Sequence, residues 1–272
     1  MAQAGRVIPD YDIHLHTWLS PCGAKDESLS SVAAYAATAK EFGLTTIGIS
    51  DHFALENAWT PTWLLNSGPA IIHEARRLAA QVVGMRVLVG CEADLIKPGV
   101  VTIDAEFARK VDFVLLSPTH FDQKEIAKEA GATPKTAAEY MVRFTEAAVQ
   151  LPFVDVMAHP FAVPEERLGS PEAYMQHVDD AAIARISCLA AANSIAFELN
   201  GRIAAMPLYR SVMRRFFHIA KSEGVKFTIG SDSHQITSMI RLAAIEVYAR
   251  ELELVRGDFL TVNEIAERHK GR

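Results

Sequence analysis

Short apolar segments alternate with amphipathic segments along almost all of this 272-residue chain. The apolar runs are rich in β-branched residues and predict strands at 11–15, 45–50, 86–91, 112–117, 153–158, 195–199 and 226–231. Segments with helical periodicity follow them at 28–42, 69–83, 102–110, 134–149, 171–192, 207–223 and 238–253. This order predicts parallel strands joined by crossover helices, because a tight hairpin cannot connect parallel neighbours. We therefore expect an α/β domain, either a closed barrel or an open doubly wound sheet.

A polar, mostly titratable group stands at or just after the C-terminal end of every predicted strand. In strand order these groups are His14 and His16, Asp51 and His52, Glu92 and Asp94, His120, His159, Glu198 and Asn200, and Asp232 and His234. In a barrel all strand ends meet on one face, where barrel enzymes place their chemistry. In an open sheet only the ends near the switch point would meet. The use of all seven ends favours a closed barrel with one site.

The first strand carries two histidines two residues apart. Because side chains alternate across a strand, His14 and His16 are expected on one face, where two imidazoles make half of a metal site. A site with many histidines and few carboxylates suits zinc, manganese or iron, whereas magnesium prefers oxygen ligands. The histidines away from the strand ends are expected to be solvated or capping residues; they are His73, His177, His218 and His269.

Composition narrows the class of protein further. Half of the residues are hydrophobic, which suits one domain spanning residues 1–272. No apolar segment is long enough to cross a bilayer, the N-terminus lacks the apolar core of a signal peptide, and three scattered cysteines do not suggest a disulfide framework. We therefore expect a cytoplasmic protein. The net charge of −6 without a basic cluster argues against a nucleic-acid partner and leaves the oligomeric state open.

The strand-end motifs have a specific order. They are His14-Leu15-His16, Ser50-Asp51-His52, Gly90-Cys91-Glu92, Ser117-Pro118-Thr119-His120, Ala158-His159-Pro160, Glu198-Leu199-Asn200 and Gly230-Ser231-Asp232-Ser233-His234. Over residues 11–234 this order resembles the PHP (polymerase and histidinol phosphatase) family of metal-dependent phosphoesterases. That family includes histidinol-phosphate phosphatases, nucleotide phosphatases, nucleases and the PHP domains of bacterial DNA polymerases. The resemblance implies a distorted (β/α)7 TIM-like barrel, which agrees with the seven predicted strands.

The resemblance also implies three divalent metal ions held by residues from the strand ends. The ligands of the first ion would be His14, His16, Glu92 and Asp232. Glu92 would bridge to a second ion, completed by His120 and His159. The third ion would take His52, His234 and Cys22, at a position where relatives often have histidine or aspartate. A thiolate suits zinc better than magnesium, but a small turn residue is the alternative interpretation of Cys22. We expect two to three ions of zinc, manganese or iron.

The expected reaction is hydrolysis of a small phosphorylated substrate, either a histidinol-phosphate-like compound or a nucleotide phosphate. Two metal ions a few ångströms apart can lower the pKa of a shared water to give hydroxide and can neutralise phosphate oxygens. The residues expected to act in catalysis are Glu92, Asp232 and His120. We expect three residues at the mouth of the barrel to bind substrate: Glu198, Asn200 and Arg202. Glu198 and Asn200 could instead position a metal ligand.

Supporting groups are expected around the ligands. Asp51 precedes His52 and is expected to orient a ligand from behind. Arg241 begins the last predicted helix and is a second candidate to clamp a phosphate. For both Arg202 and Arg241 a solvated surface charge is the alternative interpretation. The loops at 53–70, 121–133 and 160–170 are expected to shape the pocket.

Two other functions stay open at this stage. A metal-dependent amidohydrolase also places a His-x-His pair on the first strand of a barrel. Such enzymes commonly bridge their metals with a lysine, whereas Glu92 occupies the bridging position here and no lysine ends a predicted strand. In a non-catalytic metal-binding PHP domain we would expect some metal-ligand residues to be replaced, whereas the full set of ligand residues is present here.

Overall fold

The computed structural model describes residues 5–55, 64, 68–118, 133–162 and 170–271. Predictions for His120 and for large parts of the three pocket loops lie outside the described residues. The strands are β1 (Tyr11–Leu15), β2 (Thr46–Ile49), β3 (Arg86–Val89), β4 (Cys91–Lys97), β5 (Val100–Val101), β6 (Val114–Ser117), β7 (Val156–Met157), β8 (Ala196–Asn200) and β9 (Phe227–Gly230). The helices are α1 (Glu27–Ser30), α2 (Val32–Glu41), α3 (Ala70–Ala79), α4 (Ala105–Ala108), α5 (Pro134–Ala148), α6 (Pro171–Met175), α7 (Asp180–Ala192), α8 (Gly201–Ala205), α9 (Pro207–Ser222), α10 (Arg241–Glu251) and α11 (Val262–Lys270). Short 3-10 helices span Ile236–Ile240 and Arg256–Asp258.

The strands form two sheets that join into a ring. One sheet has the order β1-β2-β3 and the other the order β5-β4-β6-β7-β8-β9; among the described strands, β5 alone pairs antiparallel. Parallel bridges from His52 to Glu92 and from Leu15 to Ser233 connect the sheets at both junctions. The predicted distorted (β/α)7 TIM-like barrel is confirmed, because the parallel strands follow one another around this ring in chain order.

The third predicted strand, at 86–91, is divided at Gly90. The part before it, β3, pairs with β2, and the part after it, β4, pairs with β6. A Cβ atom at Gly90 would lie 2.6 Å from ring carbons and from the carbonyl oxygen of Phe113, so only glycine allows this close approach. Glu92 is therefore the second residue of a strand in the larger sheet, and a parallel bridge joins it to His52, which follows β2 of the smaller sheet.

A buried carboxylate holds the other junction, between β1 and β9. Oδ1 of Asp12 accepts hydrogen bonds from the amides of His14 (3.2 Å) and Ser231 (3.0 Å). Burial raises the pKa of Asp12 to about 6, although hydrogen bonds from Ser231 act in the opposite direction. The strand that carries the first two histidines is thus fixed against the segment that leads to Asp232.

Three predicted helices differ in extent from the observed ones. The helix predicted at 28–42 is divided at Ser31, whose hydroxyl caps α2 by accepting from the amide of Ala34. The helix predicted at 171–192 is divided before Asp179, which caps α7 through the amide of Ala182. The helix predicted at 102–110 shortens to α4, because β4 continues to Lys97 and forms a hairpin with β5. None of the helices in the described ranges combines the length and the apolar character that a membrane span requires.

The histidines away from the strand ends are of two kinds. His73, His177 and His218 are exposed, as predicted. For His269 on α11 the solvated alternative is wrong, because its side chain is only 8% exposed; it contacts the carbonyl oxygen of Ala108, the last residue of α4. Its Nδ1 lies 2.6 Å from Oδ2 of Asp155, and its Nε2 donates to the carbonyl oxygen of Ala108 at 2.9 Å. The last helix is therefore attached to the segments that precede β6 and β7.

Candidate metal centre

The two histidines at the end of β1 face the same point, as side-chain alternation along a strand requires. Nε2 of His14 and Nε2 of His16 lie 3.1 Å apart, and each lies 3.2 Å from Oε2 of Glu92. All three side chains are almost completely buried. Three atoms that can bind a cation therefore converge inside the barrel.

Glu92 directs its two carboxylate oxygens to different histidines. Oε2 faces His14 and His16 and lies 3.3 Å from Nε2 of His52. Oε1 lies 2.9 Å from Nε2 of His159, which follows β7. A carboxylate shared in this way has the geometry of a bridge between two cation positions. Its place beside the junction of the two sheets explains how histidines from both sheets reach it.

Asp232 approaches the same centre from the segment after β9. Its Oδ1 lies 3.6 Å from Nε2 of His16 and 3.6 Å from Nδ1 of His234. The backbone of Asp232 has a φ of 54°, a left-handed conformation that is uncommon for a residue with a side chain. Arg241 supports this turn, because its guanidinium donates to the carbonyl oxygen of Asp232 at 2.8 Å.

Cys22 joins the cluster from the loop after β1. One ligand atom from each of Cys22, His16 and His52 forms a set whose members all lie within 4.8 Å of one another. A second set of the same kind contains His16, Asp232 and His234. The ring of His16 stacks with both neighbouring imidazoles, with its centroid 5.0 Å from that of His52 and 4.5 Å from that of His234. Cys22, His52 and His234 thus surround one side of His16.

The loop that carries Cys22 is held in place by a serine and a glycine. The hydroxyl of Ser20 lies 3.2 Å from the sulfur of Cys22 and accepts from the amide of His52 at 3.3 Å. A Cβ atom at Gly23 would overlap the carbonyl oxygen of Thr17, so the turn after Cys22 requires glycine. The loop therefore presents the sulfur to the histidines in a fixed position.

Two buried carboxylates lie behind this part of the cluster. Asp51 accepts hydrogen bonds from the amide and the hydroxyl of Thr17, at 2.6 and 2.7 Å. Oδ2 of Asp94 lies 3.4 Å from Nδ1 of His52. The expectation that Asp51 orients its neighbour His52 is therefore wrong. Asp51 instead binds Thr17 in the loop that carries Cys22, and the carboxylate that faces the imidazole of His52 is Asp94. Sequence reasoning noticed Asp94 only as a strand-end carboxylate.

The charges of the cluster are strongly coupled. Burial alone would raise the pKa of the Cys22 thiol, but the charge of His16 and hydrogen bonds from His16, His234 and His52 outweigh it and lower the pKa to about 2. Burial would lower the pKa of His16, but the thiolate of Cys22 and the carboxylate of Glu92 raise it to about 10. The pKa of Asp232 lies below its ordinary value, because the surrounding histidines, His14 first, outweigh burial. Thiolate and carboxylate are the forms that bind cations.

The three residues predicted at the mouth lie at different depths. Glu198 and Asn200 on β8 are at most 1% exposed. Oε1 of Glu198 lies 2.7 Å from Nδ1 of His14, and Oδ1 of Asn200 accepts from the amide of Arg202 at 2.8 Å. Arg202 itself, on α8, is exposed. This geometry suits positioning roles for Glu198 and Asn200 and leaves Arg202 accessible to a substrate.

The donor set fits divalent cations. Ligand atoms about 2.0–2.2 Å from a common ion are about 3–3.6 Å from one another, depending on the coordination geometry. The separations of 3.1 and 3.2 Å among His14, His16 and Glu92 lie in this range. Imidazole, carboxylate and thiolate in this mixture favour zinc, manganese or iron over magnesium. Of the nine predicted ligands, eight meet in this cluster, and the ninth, His120, lies outside the described residues.

Comparison with known proteins supplies independent information. A model of the PHP domain family matches residues 12–254. The chain is similar to the structure of histidinol phosphate phosphatase from Lactococcus lactis complexed with zinc, L-histidinol and phosphate, with a TM-score of 0.64 and 16% identity, covering 93% of this chain and 99% of that one. Weaker likenesses are to ochratoxinase from A. niger (TM-score 0.44, 12% identity, 96% and 69% covered) and to N-isopropylammelide isopropylaminohydrolase from Burkholderia multivorans (TM-score 0.42, 16% identity, 98% and 74% covered). No curated protein matches this sequence significantly.

Proposed function

The chain belongs to the PHP family, and on that premise we propose that it is a metal-dependent phosphoesterase acting on a small phosphorylated substrate. The observation that carries the proposal is the shared carboxylate of Glu92. Its Oε2 faces His14, His16 and His52, while its Oε1 faces His159. A pair of cations bridged in this way is suited to in-line displacement at phosphorus.

We propose that the cluster forms three cation sites. The ligands of the first are His14, His16, Glu92 and Asp232. Those of the second are Glu92 and His159, together with His120. Those of the third are Cys22, His52 and His234. When bound, two or three divalent ions of zinc, manganese or iron would supply a nucleophile from water at neutral pH and offset the negative charge of the phosphate.

Side chains of the cluster have either catalytic or positioning roles in the proposed reaction. Glu92 keeps the first two ligand groups at a fixed separation, and Asp232 presents Oδ1 beside His16 and His234. We assign a catalytic role to these two carboxylates and to His120. Glu198 and Asn200, which are buried and hydrogen-bonded, are assigned positioning roles in place of substrate contact.

Arg202 is the group that we assign to the substrate phosphate. It is exposed on the first turn of α8, immediately after the C-terminal end of β8. It lies near enough to Arg241 for the two positive charges to repel. Arg241 is hydrogen-bonded to the carbonyl oxygen of Asp232, so Arg202 has the freer guanidinium. Its planar fork suits two oxygens of one phosphate.

The proposed substrate class is a histidinol-phosphate-like compound or a nucleotide phosphate. The similarity in fold to an enzyme complexed with L-histidinol and phosphate supports this choice. An amidohydrolase with a lysine bridge has less support, because Glu92 takes the bridging position and Lys97, which ends β4, is exposed. A non-catalytic domain has less support because the described ligands are all present.

The test is an activity assay after metal exchange. The protein is stripped with a chelator, reloaded with zinc, manganese or ferrous iron, and offered histidinol phosphate, nucleoside monophosphates, a phosphodiester and a set of amides. We expect metal-dependent hydrolysis, with phosphate released from a monoester, or an alcohol and a monoester released from the diester, that is lost in His14→Gln and kept in His73→Gln, since His73 is exposed on α3. Amide hydrolysis without phosphate release would support the amidohydrolase. Metal binding without any hydrolysis would support a binding domain.

A further inference from the structure

A carboxylate that is not among the proposed ligands lies directly beneath the cluster. Glu198 on β8 is fully buried, and its two oxygens contact different parts of the site. A buried carboxylate is costly unless it is hydrogen-bonded, so its contacts show what it is used for. Those contacts lead to two of the proposed ligands, His14 and His159.

The first contact fixes the ring of His14. Nδ1 of His14 lies 2.7 Å from Oε1 of Glu198, and a carboxylate oxygen accepts hydrogen bonds, so Nδ1 carries a proton. The lone pair of the neutral ring is then on Nε2, the atom that faces His16 and Glu92. A carboxylate behind a histidine ligand selects the tautomer and the ring orientation that bind a cation.

The second contact fixes the backbone of His159. Oε2 of Glu198 accepts from the amide of His159 at 2.8 Å and from the side-chain amide of Asn200 at 2.9 Å. His159 has a φ of 26°, which is strained for a residue with a Cβ atom. In this conformation its Nε2 reaches Oε1 of Glu92 at 2.9 Å. The hydrogen bond from Glu198 thus helps to hold a strained residue where its ring meets the shared carboxylate.

A glycine leaves the space that this carboxylate occupies. A Cβ atom at Gly230, on the neighbouring strand β9, would overlap both Oε1 of Glu198 and Cβ of His14. The contact between Glu198 and His14 therefore depends on the absence of a side chain at position 230.

We propose that Glu198 is a positioning residue that couples the first two cation sites, through the ring of His14 with one oxygen and the backbone of His159 with the other. This proposal rests on the proposed function, because it takes both histidines to be ligands. It adds that the two sites share a support beneath them as well as the bridge of Glu92 between them. The third ligand group, which contains Cys22, lies around His16, and we expect it to be independent of Glu198.

The variant Glu198→Gln separates this role from simple filling of space. If the amide nitrogen faces His14, it donates to Nδ1 and moves the ring proton to Nε2, where it blocks cation binding. If the amide nitrogen faces the other way, its N–H groups point at the N–H groups of His159 and Asn200, which then lose their acceptor. Either orientation of an isosteric side chain therefore damages one of the two sites.

The experiment measures zinc binding by competition with a chromophoric chelator, using the full chain. We expect Glu198→Gln to weaken zinc binding at one or both of the sites bridged by Glu92 by about 10- to 100-fold and to leave the third site unchanged. The third site is followed separately by cobalt, through the charge-transfer absorption of a thiolate–cobalt bond at Cys22. Glu246→Gln is the matched control, because Glu246 is likewise a carboxylate that accepts hydrogen bonds from amide groups, here the backbone amides of Val7 and Ile8.

A second measurement needs no substitution at position 198. In the zinc-loaded wild-type protein we expect a slowly exchanging Nδ1 proton of His14 in ¹H–¹⁵N spectra, identified by its absence in His14→Gln. Absence of this proton in the wild type, or wild-type zinc affinity in Glu198→Gln, overturns the coupling role while leaving the proposed function intact. A wild-type protein that binds no zinc, manganese or iron would instead overturn the proposed function itself.

Discussion

Oε1 of Glu92 lies 2.9 Å from Nε2 of His159, while the other oxygen of the same carboxylate faces the two histidines of β1. These histidines come from opposite parts of the ring of strands, so one side chain connects groups that the sequence separates by more than half of the chain. The arrangement makes Glu92 the residue on which the proposed first and second cation sites both depend.

We predict that Glu92→Gln reduces kcat by several orders of magnitude. An amide presents an oxygen on one side and an N–H donor on the other, so it can no longer bind a cation on both sides. Metal analysis of the same variant should show fewer bound ions per chain. The matched controls are His73→Gln and His218→Gln, both exposed on helices, which should retain wild-type activity. Equal losses in all three variants would show that the site is misplaced.

A second prediction concerns the space at Gly230. We expect Gly230→Ala to destabilise the zinc-free protein by about 1–3 kcal/mol and to weaken zinc binding, because the new methyl group would displace Glu198 from His14. Urea denaturation and chelator competition measure the two effects. Gly257→Ala is the control, since a Cβ atom there would contact nothing within 4 Å. Wild-type zinc affinity in Gly230→Ala would show that the site does not depend on the contact between Glu198 and His14.

The strand ends were predictable because each one is a local pattern, an apolar run followed by a polar residue. The supports behind the ligands were not, because they depend on how the ring closes. Glu198 reaches His14 across 184 residues of sequence, and nothing near either residue indicates that the two are paired. The same limit applies to Gly90, whose role in dividing a strand depends on the ring of Phe113.

The contact of His269 was also not predictable from the sequence, because it too joins residues that are far apart in the chain. A histidine near the end of a polar helix has the pattern of a solvated residue, yet it contacts Asp155 at a separation of 114 residues. Only the docking of α11 against the barrel reveals that contact.

We predict that His269→Ala lowers the free energy of unfolding by about 1–3 kcal/mol without changing metal content. The substitution removes the group that contacts Oδ2 of Asp155 and the donor to the carbonyl oxygen of Ala108, both in segments that precede barrel strands. Chemical denaturation measures the loss, and metal analysis of the folded variant tests its independence from the site. His218→Ala, on the exposed side of α9, should unfold like the wild type. A loss of bound metal in His269→Ala would mean that this end of the barrel is coupled to the site.

The last prediction concerns Cys22 and the third proposed cation site. The sulfur shares a set of ligand atoms with His16 and His52, and His234 also interacts with it. A thiolate prefers zinc to harder ions. We therefore expect Cys22→Ser to lose one zinc ion per chain and to keep the two ions bridged by Glu92. Cys22→Asp should restore a third ion when manganese is supplied, because a carboxylate suits that harder ion.

Elemental analysis after gel filtration counts the ions, and the thiolate–cobalt absorption reports directly on the sulfur. Cys188→Ser is the control, because Cys188 is exposed on α7 and contacts Glu223. It should keep all ions and the absorption band, whereas Cys22→Ser should lose the band together with one ion. If Cys22→Ser keeps its full metal content, or if a structure of the zinc-loaded protein places the sulfur far beyond about 2.3 Å from any zinc ion, Cys22 is a turn residue. His52 and His234 would then need another partner, and the two ions bridged by Glu92 would be the ones that the chain holds by itself.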